Sequence, residues 1–222
     1  MSNYKNEFIK FLLDNGSLKF GEFTLKSGRL SPYFLNTGML YSSEGIMKLG
    51  HFYASAINEK ISEYNVVFGP AYKGIPLAVS AVVALKSKFD INCNYSFNRK
   101  EVKDHGDGGL FVGKKIESDD KIIIIDDVIT AGTAIRETVE ILRGSGDPKI
   151  VGIVVSVDRM EKGKGDFSAI QEIYQMTGIN VIPIVTILDI IEFLEVKENR
   201  DMYKIDESVL AKMYEYRKTY GV

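Results

Sequence analysis

One cysteine, Cys93, and two histidines, His51 and His105, are all that 222 residues carry of the usual soft metal ligands. A lone thiol excludes an intrachain disulfide and a multi-cysteine zinc cluster and fits a reducing compartment, so Cys93 reads as a small buried hydrophobe. Two histidines are too few for a multi-histidine metal site, although a Mg²⁺ site made from carboxylates and substrate oxygens stays open. Charge of one sign is missing as well: 28 Lys and Arg stand against 30 Asp and Glu. There is no global basic field of the kind that binds nucleic acid, and any anion must be held locally. Long apolar runs are missing too, since 74–85 and 181–188 fall short of the roughly 20 residues that span a bilayer. Lys5, Glu7 and Lys10 interrupt the first apolar segment, unlike a signal peptide, which points to a cytoplasmic protein. With 5 Pro, 20 Gly, 45% hydrophobic and 26% charged residues, the chain reads as soluble and globular, one large domain or a domain with an appended subdomain.

Apolar spacing places a helix over the first 13 residues, with Phe8, Ile9, Leu12 and Leu13 before the Asn15-Gly16 stop. Residues 18–40 alternate irregularly around Gly21, Gly28, Pro32 and Gly38 and predict short strands and turns. A second helix follows the Ser42-Ser43-Glu44 cap, with Ile46, Leu49, Phe52, Tyr53 and Ile57 on its face. From residue 66 apolar runs (66–68, 92–97, 122–125, 150–157, 181–185) alternate with helical segments (74–87, 132–143, near 167–177). This order predicts an α/β fold with a parallel sheet of about five strands between helices, and ligands beyond the strands' carboxyl ends. A final helix over 206–218 offers Val209, Leu210, Met213 and Tyr214 to a neighbour.

The most informative segment runs from Ile122 to Ala134, an apolar strand that ends in Asp126-Asp127 and turns through Val128-Ile129-Thr130-Ala131-Gly132-Thr133 into a helix. Small residues at a helix N-terminus leave backbone N–H groups and hydroxyls open to a phosphate, and Gly132 permits close approach. Two adjacent carboxylates would repel that phosphate but suit vicinal ribose hydroxyls and a nearby Mg²⁺. An isolated Asp-Asp pair can also merely cap the following helix. The whole string resembles the 5-phosphoribosyl-1-pyrophosphate (PRPP) signature of the type I phosphoribosyltransferase family, and its wording from Asp126 to Ala134 is most similar to the orotate phosphoribosyltransferases.

That resemblance implies the type I phosphoribosyltransferase fold, with a hood from about 1–40 plus part of the C-terminal region and a core of about 41–185. It implies transfer of a phosphoribosyl group from PRPP to orotate in pyrimidine (UMP) biosynthesis, with Mg²⁺. Asp126, Asp127, Val128, Ile129, Thr130, Ala131, Gly132, Thr133 and Ala134 would then bind PRPP. In Phe68-Gly69-Pro70-Ala71-Tyr72-Lys73-Gly74, otherwise readable as an exposed turn, Tyr72 and Lys73 would contact the diphosphate. The stretch from Asn98 to Gly109 is too polar for core and glycine-rich at its end, and reads as a mobile loop or a charged surface hairpin. By the resemblance it is the catalytic loop of a homodimer, with Arg99, Lys103 and His105 acting in trans and Lys100 in cis on PRPP. Lys103 and His105 would be catalytic together with Asp126 and Asp127.

The segment from Phe23 to Asn36 holds a lysine and an aromatic platform, and is equally a buried aromatic turn by itself. The resemblance gives Lys26 to the diphosphate and Phe34 and Leu35 to the orotate pocket, where the family more often has two aromatics. Arg159 follows the apolar run 150–157, and its planar fork suits a carboxylate, although a strand-end Asp158–Arg159 surface pair is the plain reading. The resemblance assigns Arg159, with Thr130, to orotate. A phosphoribosyltransferase for another base and a PRPP-sensing transcriptional regulator on the same fold are the alternatives. The second needs a nucleic-acid surface, and neither a helix-turn-helix pattern nor a basic stripe is visible.

Overall fold

Runs of Ile and Val that no charge interrupts must bury both faces, and here they do so as inner strands of one sheet. The computed structural model describes residues 3–25, 27–103, 109–129, 132–163 and 165–222, with the backbone alone for Val102 and Lys103. The N-terminal part comprises α1 (Asn3–Asp14), β1 (Leu18–Thr24), β2 (Leu30–Leu35), a 3-10 turn (Thr37–Met39) and α2 (Ser43–Lys60). The middle comprises β3 (Val66–Phe68), α3 (Gly74–Phe89), β4 (Asn94–Lys103), β5 (Gly109–Gly113), β6 (Lys121–Asp126) and α4 (Thr133–Gly144). The chain ends with β7 (Lys149–Asp158), α5 (Ala169–Thr177), β8 (Val181–Thr186), α6 (Ile187–Glu195), α7 (Lys197–Tyr203) and α8 (Glu207–Tyr220).

The main sheet has the order β5-β4-β3-β6-β7-β8. Strands β4, β3, β6, β7 and β8 are parallel, which is the sheet the alternating pattern predicts. Along β6 the side chains alternate between two cores. Ile123 and Ile125 join the cluster under α1, α2, α3, α6 and α8, while Ile122 and Ile124 join the cluster under α4 and α5. All four are fully buried. Helix α2 starts where its cap predicts, with the Gly45 N–H donating to Ser42 Oγ at 3.0 Å.

Three expectations change. The segment from Asn98 to Lys103, read as part of a mobile loop, is the end of β4, because β5 folds back antiparallel and supplies partners for its backbone. Only 104–108 of that stretch lie outside the described residues. Tyr214, expected on the packed face of α8, is 49% exposed, and Tyr216 takes its place beside Leu210 and Met213. Residues 187–203, given no element from sequence, form α6 and α7, the first begun by a capping box between Thr186 and Asp189.

Strands β1 and β2 form a separate antiparallel pair. It is fastened to the end of the chain, where Tyr33 of β2 meets Tyr216 of α8 edge to face at 6.0 Å. Helix α1 is tied to the start of α6 by the Lys5–Asp189 ion pair at 3.0 Å.

Helices α2 and α3 cross closely because Gly50 has no side chain: a Cβ there would lie 2.6 Å from the Ser80 carbonyl oxygen. Gly50→Ala is expected to cost about 1–3 kcal/mol through forced separation of the helices, and to lower the thermal midpoint by several degrees. Gly144→Ala at the end of α4, where a Cβ meets nothing within 4 Å, is the control and should not destabilise. A Gly50→Ala midpoint equal to the parent's would refute the tight crossing.

Candidate active site

Parallel strands deliver their carboxyl ends to one edge of the sheet, and there three connections meet: the loop after β3, the acidic segment after β6, and the Asp158-Arg159 corner after β7. The acidic segment is anchored by its backbone. The Asp126 carbonyl accepts the Tyr53 hydroxyl at 2.8 Å, and the Asp127 carbonyl accepts both the N–H and the hydroxyl of Ser156, at 2.8 and 2.5 Å. Tyr53 and Ser156 are fully buried, so each hydroxyl must have a partner.

The two carboxylates differ in surroundings. Asp126 Oδ1 accepts the Asp127 N–H at 2.8 Å. Burial pushes its pKa up to about 6, with the Asp127 charge adding to the rise and the Asp127 N–H and Lys73 opposing it. Asp127 Oδ1 accepts the Val128 N–H at 2.6 Å, and Oδ2 accepts Lys73 Nζ at 2.7 Å with Thr37 Oγ1 at 3.4 Å. The hydrogen bond and charge of Asp127 hold the Lys73 amine above its ordinary range. With the lysine side chain 71% exposed, this pair is a contact that solvent or a ligand can enter.

Lys73 comes from the loop after β3, which doubles back so tightly that a Cβ on Gly69 would fall 2.1 Å from the Gly74 carbonyl oxygen. The Gly69 N–H donates to the Ser96 carbonyl at 3.0 Å, and the Ala71 N–H to Asn98 Oδ1 at 3.1 Å. The Ala71–Tyr72 peptide is cis. Tyr72 is 71% exposed, and Lys100 Nζ lies 5.6 Å from its ring centre. Arg99 precedes Lys100 on β4, partly buried. On the other side of the acids, Gly132 has φ 68°, a left-handed conformation that glycine adopts without cost, and α4 begins at Thr133. The first-turn N–H groups of that helix, those of Thr133 and Ala134 included, have no helical acceptor and form its positive end. Lys26, Thr130, Ala131 and His105, and the Lys103 side chain, lie outside the described residues.

The Asp158–Arg159 surface pair does not form. Arg159 turns to Glu161 Oε1, with Nε at 2.9 Å and Nη2 at 2.7 Å, places Nη2 3.2 Å from Ser31 Oγ, and lies over the Tyr33 ring at 4.3 Å. Asp158 Oδ1 instead accepts the Met160 N–H at 2.8 Å, and burial raises its pKa. Phe34, half-exposed, stacks on Phe23 at 5.4 Å, whereas Leu35 packs against the large core. The structure thus brings Lys73 to Asp127 and Lys100 to the ring of the adjoining Tyr72, and places Arg159 against β2, the strand that carries Phe34 and Leu35. Sequence reasoning missed Thr37, Tyr53, Asn98, Ser156 and Glu161. Ser156 alone left a sign, a hydroxyl inside an otherwise apolar strand.

Among the described residues no three His, Cys, Asp or Glu side chains converge on one point. The Asp126-Asp127 pair fits Mg²⁺ only as a cation that keeps waters and substrate oxygens as most of its ligands, which is how Mg²⁺ commonly binds beside phosphates.

A family model for the phosphoribosyl transferase domain matches residues 36–203. The chain is 48% identical over its whole length to an orotate phosphoribosyltransferase of Clostridium beijerinckii, covering 99% of that protein, and 50% identical to one of Vibrio parahaemolyticus, covering all of it. The crystal structure of the Francisella tularensis orotate phosphoribosyltransferase superposes with a TM-score of 0.85 at 42% identity, over 97% of this chain and 100% of that one. The family model takes in the main sheet and the full-length matches the β1–β2 pair as well, so the chain belongs to the phosphoribosyl transferase family, in its orotate phosphoribosyltransferase branch.

Proposed function

We propose that the chain transfers the phosphoribosyl group of PRPP to N1 of orotate, giving orotidine 5′-monophosphate and pyrophosphate in pyrimidine biosynthesis. One observation carries the reading: Lys73 of the loop after β3 touches Asp127 of the segment after β6 at 2.7 Å, so a diphosphate-sized anion and a ribose have adjoining places. Asp126 and Asp127 hold the ribose hydroxyls. The turn from Val128 and Ile129 through Thr130 and Ala131 to Gly132, Thr133 and Ala134 receives the 5′-phosphate on backbone N–H groups. Tyr72 and Lys73, with Lys26, Arg99, Lys100, Lys103 and His105, take the diphosphate. Arg159 takes the orotate carboxylate, and Thr130, Phe34 and Leu35 border the base.

As the bond to pyrophosphate breaks, C1 of the ribose becomes cationic, so the protein positions the reactants and stabilises charge and needs no nucleophile of its own. Bound Mg²⁺ supplies neutralisation of the diphosphate charge. Lys73 serves Asp127 before substrate arrives and the leaving group afterwards, which keeps the acid from lying unpaired. Lys103 and His105 donate to the leaving group and, with their loop, keep water from the cationic sugar.

The working unit is a homodimer that shares this loop between subunits. Met47, Val79 and Val83 are 52%, 37% and 63% exposed and flank the Gly50–Ser80 crossing of α2 and α3, which gives an apolar face for a second copy. The hood consists of about 1–40 with part of the C-terminal region, and the core of about 41–185; the fastening of β2 to α8 supports that division. A single cysteine suits the cytoplasm.

Orotate absorbance should fall only when PRPP and Mg²⁺ are both supplied. Turnover of hypoxanthine or uracil with orotate untouched would overturn the base assignment.

Asp126 gives a pH test. Its pKa of about 6 in the folded chain lies above the ordinary 3.8, so between these values the folded state holds a proton that the unfolded chain has lost, and stability falls as pH rises. In the ligand-free protein Asp126→Asn should therefore gain up to about 2–3 kcal/mol at about pH 8, and the gain should vanish near about pH 3.5. Parallel denaturation curves at both pH values would contradict the buried charge.

Lys103→Ala and Asp127→Asn should each be nearly inactive alone. Refolded as a mixture, about half the dimers pair one of each and hold one intact site, so about a quarter of parental activity should return. Dimers that form without recovery would place the loop in cis.

A further inference from the structure

Arg159 is a long side chain whose guanidinium is held along its Nε–Nη2 side, with Nη2 also 3.2 Å from Ser31 Oγ. Its Nε and Nη2 both point at Glu161 Oε1, at 2.9 and 2.7 Å, and Tyr33 lies flat beneath at 4.3 Å. The same Glu161 oxygen accepts the Tyr33 hydroxyl at 2.7 Å, and burial holds that phenol well above its usual range, so it stays a donor. The other carboxylate oxygen lies 3.8 Å from Arg29 Nη1. Side chains of Arg159 and Glu161 are 16% and 12% exposed, so the pair is screened from water on most sides. Two guanidiniums share one carboxylate, which leaves positive charge within the trio for an arriving carboxylate.

The backbone beneath this cluster is clamped by the end of the chain. Glu161 bridges to Gly221, the Lys162 N–H donates to the Tyr220 carbonyl at 2.8 Å, and the Val222 N–H donates to the Met160 carbonyl at 3.0 Å. Arg29 adds bonds to the Lys162 and Gly163 carbonyls at 2.9 and 3.2 Å and lies over the Tyr220 ring at 4.8 Å. Met160 and Tyr220 of this clamp also pack on the large core, so the backbone that carries Arg159 and Glu161 is held from both sides.

We propose that Glu161 is a positioning residue for the base: by occupying the Nε–Nη2 side of Arg159 against Tyr33, with Ser31 Oγ also on Nη2, it presents the Nη1 side of the fork, already oriented, to the carboxylate of orotate. This rests on the reading that Arg159 receives that carboxylate. An Arg free to choose among rotamers would lose entropy on each binding event, whereas this one has lost it on folding. Carboxylate recognition by a guanidinium also depends on direction, because its N–H groups donate in the plane of the fork.

The test is steady-state kinetics on Glu161→Gln, which keeps the shape and removes the charge, with Glu161→Ala, Arg159→Ala and the Glu161→Gln/Arg159→Ala double variant. Glu161→Gln should raise the orotate KM about tenfold, with kcat and the PRPP KM within about twofold, the pattern of lost binding that does not touch chemistry. Glu161→Ala should raise it further if it folds, and the glutamine variant stands alone if it does not. In the double variant Glu161→Gln should add nothing to the Arg159→Ala defect, since it acts through that side chain. An Arg159→Ala defect with a normal Glu161→Gln orotate KM would overturn the positioning role and leave the base site standing. Defects that add in the double variant, or a joint loss of kcat and both KM values in Glu161→Gln, would also overturn it. A normal orotate KM in Arg159→Ala would remove the base-site reading itself, and this inference with it.

Discussion

Where β6 stops being a strand, two fully buried hydroxyls take hold of its last carbonyls: Tyr53 on Asp126 and Ser156 on Asp127. Backbone carbonyls that leave a ladder inside a protein need new partners, and these partners come from elements on either side of the strand. The bonds fix the point at which the chain turns, and hence the directions of both carboxylates and the entry of α4. Thr37, from the turn after β2, reaches the same Asp127 carboxylate, so the β1–β2 region is referenced to this turn as well. The loop after β3 is referenced to it through Lys73.

Charge in the site is arranged by burial. Asp126 lies under protein and its carboxyl is pushed up to about 6, whereas Asp127 beside it is paired with a lysine that stands mostly in solvent. An ion pair whose lysine stands in solvent contributes little to stability, which makes that lysine easy to exchange for a ligand. Arg159 is the reverse case, a guanidinium fixed by a carboxylate, a ring and a hydroxyl in a screened corner. The exchangeable contact lies at the carboxyl ends of β3 and β6, and the fixed one at the carboxyl end of β7 against β2.

The sheet was legible because its inner strands β3, β6 and β7 are buried on both faces and so appear as apolar runs, each followed by a helical spacing. The acidic segment was legible for a different reason: carboxylates, small residues and a glycine occur there together, and each has a chemical use at the end of a strand. The antiparallel β5 and the continuation of β4 to Lys103 were not legible, because polar, glycine-rich residues became strand only through pairing with each other. Tyr214 and Tyr216 on α8 illustrate the same limit, since helical spacing allows either to face inward and only the presence of Tyr33 selects one.

Composition and order of residues by themselves determined the α/β class, the parallel sheet, and the apolar strand that ends in Asp126, because all three depend on local periodicity and on residue types next to one another. Tertiary structure decided the partners: Lys73 for Asp127 across 54 positions, Tyr53 for Asp126 across 73, and Ser31 for Arg159 across 128. It also decided that Arg159 turns from its neighbour Asp158 to Glu161, over the ring of Tyr33. A hydrogen bond between distant residues leaves no pattern in the intervening chain. It exists only once packing has brought a buried donor to the one acceptor that can satisfy it.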